Sequence, residues 1–408
     1  MSFVQCQEEI ALAQRVLGAK ASATKEMTRL ANQMRQQGQS VITLSQGEPD
    51  FATPEHVRQA AKEAIDRNES RYTEVAGTLA LREAVVRKFE RDNGLHFSPD
   101  QIQVGCGAKQ ALYNALQATV QDGDEVIIPT PAWVSYPEMV LLAGGQPVIV
   151  RCSAQAGFKL QADQLERAIT PRTKWLMLNS PSNPSGAVYS RQELEALEQV
   201  LLRHPHVWVM ADDVYEKIRY SDEPFATPAA LSPYMAARTL TINGVSKAYA
   251  MTGWRIGYAG GPAWLIKAMA DLQSQSTSNP CSISQYAVLA ALNGPQDFLR
   301  ERNIAFRERR DLVVAMLNDA PGLSCPTPEG AFYVYPDATG VMGKTTPKGK
   351  KIETDADLID YFLDEYRVAA VHGEAFGLSP GFRISYATSS DILKEACTRI
   401  QSACAALT

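Results

Sequence analysis

No CxxC pair occurs in these 408 residues, and the seven cysteines, Cys6, Cys106, Cys152, Cys281, Cys325, Cys397 and Cys404, are odd in number and scattered. That pattern argues against a disulfide framework or a zinc site and fits reduced thiols in a reducing compartment. Long apolar runs are also missing. The stretch at 84–89 is broken by Arg87 and Lys88, far short of the ~18 residues that span a bilayer. No block of like charge stands out: 40 basic residues face 45 acidic ones, for a formal net charge of −5. A nucleic-acid partner therefore has no electrostatic footprint to bind. Internal repeats and low-complexity segments are absent too, which excludes a solenoid. The first residues carry Glu8 and Glu9 where an export signal has a basic region and an apolar core, so a cytoplasmic protein is expected.

What is present is a regular alternation. Apolar runs at 125–129, 146–150, 174–179, 207–212 and 239–243 are separated by helical or turn-rich stretches, the pattern of a mostly parallel sheet covered on both faces. Thr53-Pro54 predicts a helix with Thr53 at the N-cap and Pro54 at the first helical position. Thr78 opens a second helix that stops at Asn93-Gly94. The α/β region is expected over 51–295 as a large domain. A smaller α+β domain follows over 296–408, with a long polar helix at 295–318, short strands in "GAFYVYP", "YRVAAVHG" and "FRISYAT", and a last helix near 389–405. Residues 1–50 hold a helix ending at Gly38 and the strand "VITL". These have no nearby partner in sequence and are expected to pack with the C-terminal unit, so that the small domain is built from both chain ends.

In open α/β sheets ligands bind beyond the carboxyl ends of the strands. Lys247 lies in the loop between "TLTIN" and "RIGYAGG", where a lysine is either a solvated amine or, when desolvated, an imine-forming nucleophile. Arg255, eight residues on, has the fork geometry that grips phosphate. Together they suggest a cofactor with an aldehyde and a phosphate. Gly107, Ala108 and Lys109 open a helix after "IQVGC", where free N–H groups favour a phosphate or simply make a turn. Trp133 is either core filler or a stacking platform. Asp212 ends the run "VWVMAD" with Tyr215 three residues on, and a carboxylate there is costly to bury without a cationic partner.

The stretches "SQGEPDF", "YTEVAGTLALREA", "GAKQALYN", "PAWVSYPEM", "NSPSNPSGAVYS", "ADDVYE", "SKAYAMTGWRIGY" and "FRISYATS" occur in order from about residue 18 to 405. In these the chain resembles the class I pyridoxal 5'-phosphate-dependent aminotransferases of fold type I, in the bacterial aspartate and prephenate aminotransferase branch. The resemblance implies a large domain with a mostly parallel seven-stranded sheet, a small α+β domain, and a homodimer with shared active sites. It implies that Lys247 holds the coenzyme as an aldimine and then moves the proton, in a ping-pong exchange between amino acid and 2-oxo acid substrates. It further implies that Asp212 pairs with the pyridine N–H, Tyr215 and Asn183 hydrogen-bond the phenolic oxygen, and Trp133 stacks on the ring. Asn183-Pro184 is expected to be cis. The phosphate goes to Arg255, Ser246, Gly107, the N–H groups of Ala108 and Lys109, and Tyr72 of the other subunit. Arg383 takes the substrate α-carboxylate beside Gly47.

Where the animal-type branch has an arginine for the distal carboxylate, residues 274–280 ("SQSTSNP") have none, and Lys109 is the available cation, with Ser22 and Thr24 beside it. The substrate expected is a dicarboxylic amino acid, aspartate foremost, with 2-oxoglutarate. The alternatives are a prephenate or aromatic aminotransferase, a lyase or decarboxylase on the same scaffold, and a coenzyme-binding regulator. For the last, the segment before "AKASAT" is too short to hold a DNA-binding module.

Overall fold

A computed structural model describes residues 11–18, 20 and 22–408. Its strands, in chain order, are β1 (Ile42–Thr43), β2 (Ile102–Gly105), β3 (Glu125–Thr130), β4 (Gln146–Arg151), β5 (Thr173–Asn179), β6 (Trp208–Asp212), β7 (Thr239–Gly244), β8 (Gly257–Gly260), β9 (Tyr333–Val334), β10 (Val368–Ala369), β11 (Val371–His372) and β12 (Phe382–Ser385). Seven of these form one sheet in the order β2-β8-β7-β6-β5-β3-β4. All its neighbours run parallel except where β8 lies antiparallel between β2 and β7. The apolar runs read as strands are therefore strands, with bounds shifted by a residue at most.

Period-two alternation explains why these runs are apolar throughout. Val126, Ile128, Trp175, Met177 and Met210 face one side, packed with residues of the helices Ala108–Thr119 and Ala263–Ser274. Ile127, Leu176, Leu178 and Val209 face the other, against the helices Ala162–Ala168 and Arg191–Leu201. Since both faces are covered, the central strands leave almost no room for a solvated side chain, and Lys174, at the start of β5, reaches out only to pair with Asp124. Only the edge strand β4 exposes residues along its length.

The C-terminal part has an antiparallel sheet, β11-β12-β9, beside the helices Phe298–Asn318, Asp355–Tyr366 and Ser390–Ala405. The "YRVAAVHG" run, read as one strand, divides at Ala370. Its first half pairs parallel with β1 and its second antiparallel with β12. Leu44 then links the two, donating from its N–H to Ala369 and accepting from Ser385. The early strand thus lodges in the C-terminal unit, and residues 45–47 emerge beside β12.

One helix start differs from expectation. The helix begins at Glu55 with Pro54 in the cap position, because the Thr53 hydroxyl donates instead to the Ala250 carbonyl at 2.8 Å. A tertiary hydrogen bond to the Lys247 loop has displaced local capping. Thr78 does cap its helix, accepting from the Leu81 N–H, and Gly94 closes that helix in the left-handed region at φ 65°.

Candidate active site

Strand ends bring the first chemical groups together. Asp212 closes β6 in register with Asn179 at the end of β5, and the chain leaving β7 at Gly244 reaches Lys247 three residues later. The Asp212 carboxylate is buried. Its Oδ2 accepts from the Tyr136 hydroxyl at 2.6 Å, whereas Oδ1 has no partner. Burial raises its pKa to about 6, opposed by the Tyr136 hydrogen bond, by the Val214 backbone N–H and by Lys247. Conversely, burial depresses the Lys247 amine to about 8, helped by the like charge of Arg383. Its Nζ donates to the Gly47 carbonyl at 2.6 Å. These are opposite shifts with one cause, because removing water disfavours whichever form is charged.

Arg383, on β12, is 1% exposed. Its guanidinium lies over the Tyr333 ring at 4.7 Å and the Phe376 ring at 5.0 Å. Nη1 donates to Asn183 Oδ1 at 2.9 Å, Nη2 to the Ser45 carbonyl, and Nε has no partner. Asn183 is set by its own backbone: its N–H donates to Asn179 Oδ1 at 2.7 Å, Asn179 Nδ2 donates to the Asp212 carbonyl at 2.7 Å, and the Asn183–Pro184 bond is cis. Tyr215 meets Tyr333 hydroxyl to hydroxyl at 2.8 Å, and burial pushes its pKa well up. Gly47 must lack a side chain here, since a Cβ would collide with the Tyr333 hydroxyl.

A second cluster lies where β2 turns into the helix Ala108–Thr119. Gly107 stands at its N-cap with φ 88°, and a Cβ there would run into the Arg255 guanidinium. Arg255 is itself left-handed, at φ 53°. It donates from Nη1 to the Thr252 carbonyl at 2.7 Å and from Nη2 to that of Cys106 at 3.3 Å. Its cation is thereby held against the helix N-terminus, where unpaired N–H groups and the dipole favour an anion.

These clusters border a single cavity of about 490 Å³. It is lined by Lys247, Asp212, Tyr215, Asn183, Trp133 and Arg383, by Ala108, Ser246 and Arg255 near the helix start, and by Gly47, Lys109, Ser22 and Thr24. Gly107 touches it through Arg255. Tyr72 does not reach it and stands 92% exposed. Trp133 packs edge-on against Tyr136, with Lys109 Nζ 4.5 Å above its ring and 3.2 Å from the Ser135 hydroxyl. Desolvation lowers the Lys109 pKa, and Lys25 and Arg255 add to this.

Of the lining residues that escaped the sequence reading, four bear most on the chemistry of the site: Tyr136, Asn179, Tyr333 and Lys25. Asn179 was within reach of it, being the last residue of an apolar run. Tyr136 sits one helical turn past Trp133, and nothing local marks it as facing a carboxylate 76 positions away. Lys109 lines the cavity, and the N-terminal helix brings a second cation, Lys25, to the same wall.

Residues 39–400 match the family model for aminotransferases of class I and II. The chain belongs to that family. It is 59% identical over 388 residues to the aspartate/prephenate aminotransferase of Cereibacter sphaeroides, covering 95% of this chain and 97% of that one. It is 58% identical to an aspartate aminotransferase of Rhizobium meliloti, covering 95% and 92%. Among solved structures, a Rhizobium meliloti aspartate aminotransferase superimposes with a TM-score of 0.96 at 56% identity, covering 98% of this chain and all of that one. The Thermus thermophilus aspartate aminotransferase with maleate gives 0.90 at 42% identity, covering 97% and 100%. Aminotransferases of this family use pyridoxal 5'-phosphate, and the residues present fit it. Asp212 Oδ1 is a buried, unpartnered acceptor suited to a ring N–H, and the Gly107–Arg255 corner is a cradle for a phosphate dianion.

Two predictions follow from these electrostatics. The resemblance assigns attachment of the coenzyme aldehyde to Lys247, and such attachment needs a neutral amine. With the amine depressed to about 8, the attachment rate of coenzyme-free protein, followed by absorbance in stopped flow, should rise about tenfold per pH unit below 8 and level off above it. A rate still climbing at pH 10 would mean an ordinary lysine. Tyr136→Phe removes a hydrogen bond that lowers the Asp212 pKa, leaving the carboxylate more protonated in acid. Coenzyme affinity should fall by about tenfold, the scale of one hydrogen bond to a charge, and more at pH 6 than at pH 8. Equal loss at both values would indicate packing alone.

Proposed function

We propose that this aminotransferase moves the amino group of a dicarboxylic amino acid, aspartate foremost, to 2-oxoglutarate. The observation that carries the proposal is one cavity bordered by the depressed amine of Lys247, the buried Asp212 with a free oxygen, Arg383, and a cationic wall at Lys109. The relatives' names support the same substrate, and those that include prephenate favour it as a second acceptor, since prephenate also carries a carboxylate away from its reacting carbon.

When bound, the coenzyme would supply a cationic ring that accepts the electron pair left as the substrate Cα–H bond breaks. Asp212, ionised, would keep the ring nitrogen protonated through Oδ1, Tyr136 already occupying Oδ2. Trp133 would provide the face for the ring, Tyr215 and Asn183 would serve its phenolic oxygen, and Arg255, Ser246 and the first N–H groups of the helix at Ala108 would hold the phosphate. Arg383, stiffened between two aromatic rings, holds the α-carboxylate and so fixes the Cα–H bond. Lys247 Nζ takes the α-proton, a role for which an amine near neutrality is suited. Lys109, with Ser22 and Thr24, takes the distal carboxylate. Donor and acceptor use the same site in turn.

Tyr72, exposed in one chain, is proposed to serve the phosphate of a partner subunit in a C2 homodimer, and the protein to work in the cytoplasm. Among the described residues no helix is long and apolar enough to cross a membrane.

The test is a panel of half-reactions in which coenzyme-loaded protein meets single amino acids and the loss of coenzyme absorbance is timed. Aspartate and glutamate should outpace alanine and phenylalanine. Lys109→Ala should cut efficiency for the dicarboxylates about 10- to 150-fold, equivalent to about 1.5–3 kcal/mol for a hydrogen bond to a charge. Equal losses on all donors would reassign Lys109 to the phosphate. For the dimer, mixing an inactive Tyr72→Ala chain with an inactive Lys247→Ala chain should restore activity as subunits exchange, because a hybrid holds one intact site. A fully active monomer on sedimentation would refute the shared site.

A further inference from the structure

Lys25 is the third residue of the helix Ala23–Gln36 and is exposed on the wall of the same cavity as Lys109. Little around it neutralises its charge. The first turn of a helix is the positive end of the macrodipole. The neighbouring acid, Glu26, is committed to Arg29, and the one other acid bordering the cavity besides Asp212, Glu48, accepts from the Thr252 hydroxyl. Among the described residues no ion pair engages Lys25. Lys109 differs, being held by the Ser135 hydroxyl and the Trp133 face, and Lys25 is close enough to lower its pKa.

Two ammonium groups sharing one wall repel each other until an anion lies between them. We propose that Lys25 is a second specificity-determining residue, acting with Lys109 on the distal carboxylate of dicarboxylic substrates. This rests on the dicarboxylate reading given above. A substrate with an uncharged side chain leaves both ammonium groups unneutralised, whereas a second carboxylate relieves the repulsion as well as gaining attraction. Discrimination therefore comes from a penalty as much as from a contact.

The quantity to measure is the ratio of half-reaction efficiencies, aspartate or glutamate over alanine, in coenzyme-loaded wild type, Lys25→Gln, Lys25→Arg and Lys109→Ala proteins. Lys25→Gln should lower the ratio about 3- to 10-fold, as expected of an exposed charge pair at moderate salt. Lys25→Arg should return it to within about twofold of wild type, since the charge is kept. The Lys25→Gln effect should shrink between about 0.05 and 0.5 M salt. An unchanged ratio in Lys25→Gln, with a lowered one in Lys109→Ala, would overturn the inference and leave the dicarboxylate reading intact. Loss of aspartate and alanine efficiency in equal proportion would also overturn it, marking Lys25 as a support of the helix start. A wild-type ratio near one would remove the dicarboxylate reading, and the role of Lys25 with it.

Discussion

Three charged side chains, the buried Asp212 and Arg383 and the half-buried Lys247, stand around one cavity, and not one of them is neutralised by direct pairing with another. Such burial costs several kcal/mol per ion unless every polar atom is otherwise satisfied. The neighbours that satisfy them are mostly neutral dipoles: the Tyr136 hydroxyl for Asp212, the Gly47 carbonyl for Lys247, Asn183 and the Ser45 carbonyl for Arg383. Neutral partners leave each charge available to a ligand. What remains unsatisfied, Asp212 Oδ1 and Arg383 Nε, is what a coenzyme ring and a substrate carboxylate would complete.

Holding dipoles to that accuracy explains the architecture. Asp212 and Asn179 end adjacent parallel strands, so their spacing is set by a ladder rather than by a loop. Ser45 and Gly47 come from the other direction. They follow Leu44, which is hydrogen-bonded to both Ala369 and Ser385, so the chain start reaches Arg383 and Lys247 only because β1 is clamped in the C-terminal unit. A buried network ties the far side down: Lys88 pairs with Glu216 and donates to Asn93 at 2.8 Å, and Asn93 donates to Glu216 at 2.8 Å. It anchors the residue next to Tyr215 to the helix Leu79–Asn93.

Much of this was legible in the sequence for a physical reason. Strands covered on both faces must be apolar, so a polar residue at the end of such a run, as at Asp212, stands out. Lysine in the β7–β8 loop stood out in the same way, as did the helix opened by Gly107. Residues whose meaning depends on a distant partner were not legible. Tyr136 lies in a short, mostly apolar helix with no polar face to single it out, Tyr333 in a strand that shows only β propensity, and Lys25 on a polar helix face. Thr53 has a good capping side chain that a tertiary acceptor claims instead. Motif resemblance supplied roles for Arg383 and Asn183, yet it was silent on the Tyr215–Tyr333 and Tyr136–Asp212 contacts that hold the site in shape.

Net charge says little about such a site. The chain as a whole carries −5, while its cavity is bordered by Lys25, Lys109, Lys247, Arg255 and Arg383 against Glu48 and Asp212. The excess of cations inside an acidic protein matches a coenzyme with a phosphate dianion and substrates with one or two carboxylates. Fields in a low-dielectric cleft are focused rather than averaged over the surface, so the local sign governs which small molecules enter. The cations are also graded by how they are held. Arg383 is locked between two rings and Arg255 against a helix start, which suits groups present in every cycle. Lys109 and Lys25 stand on the exposed wall, which suits the role proposed for them toward a carboxylate whose position differs from one substrate to the next.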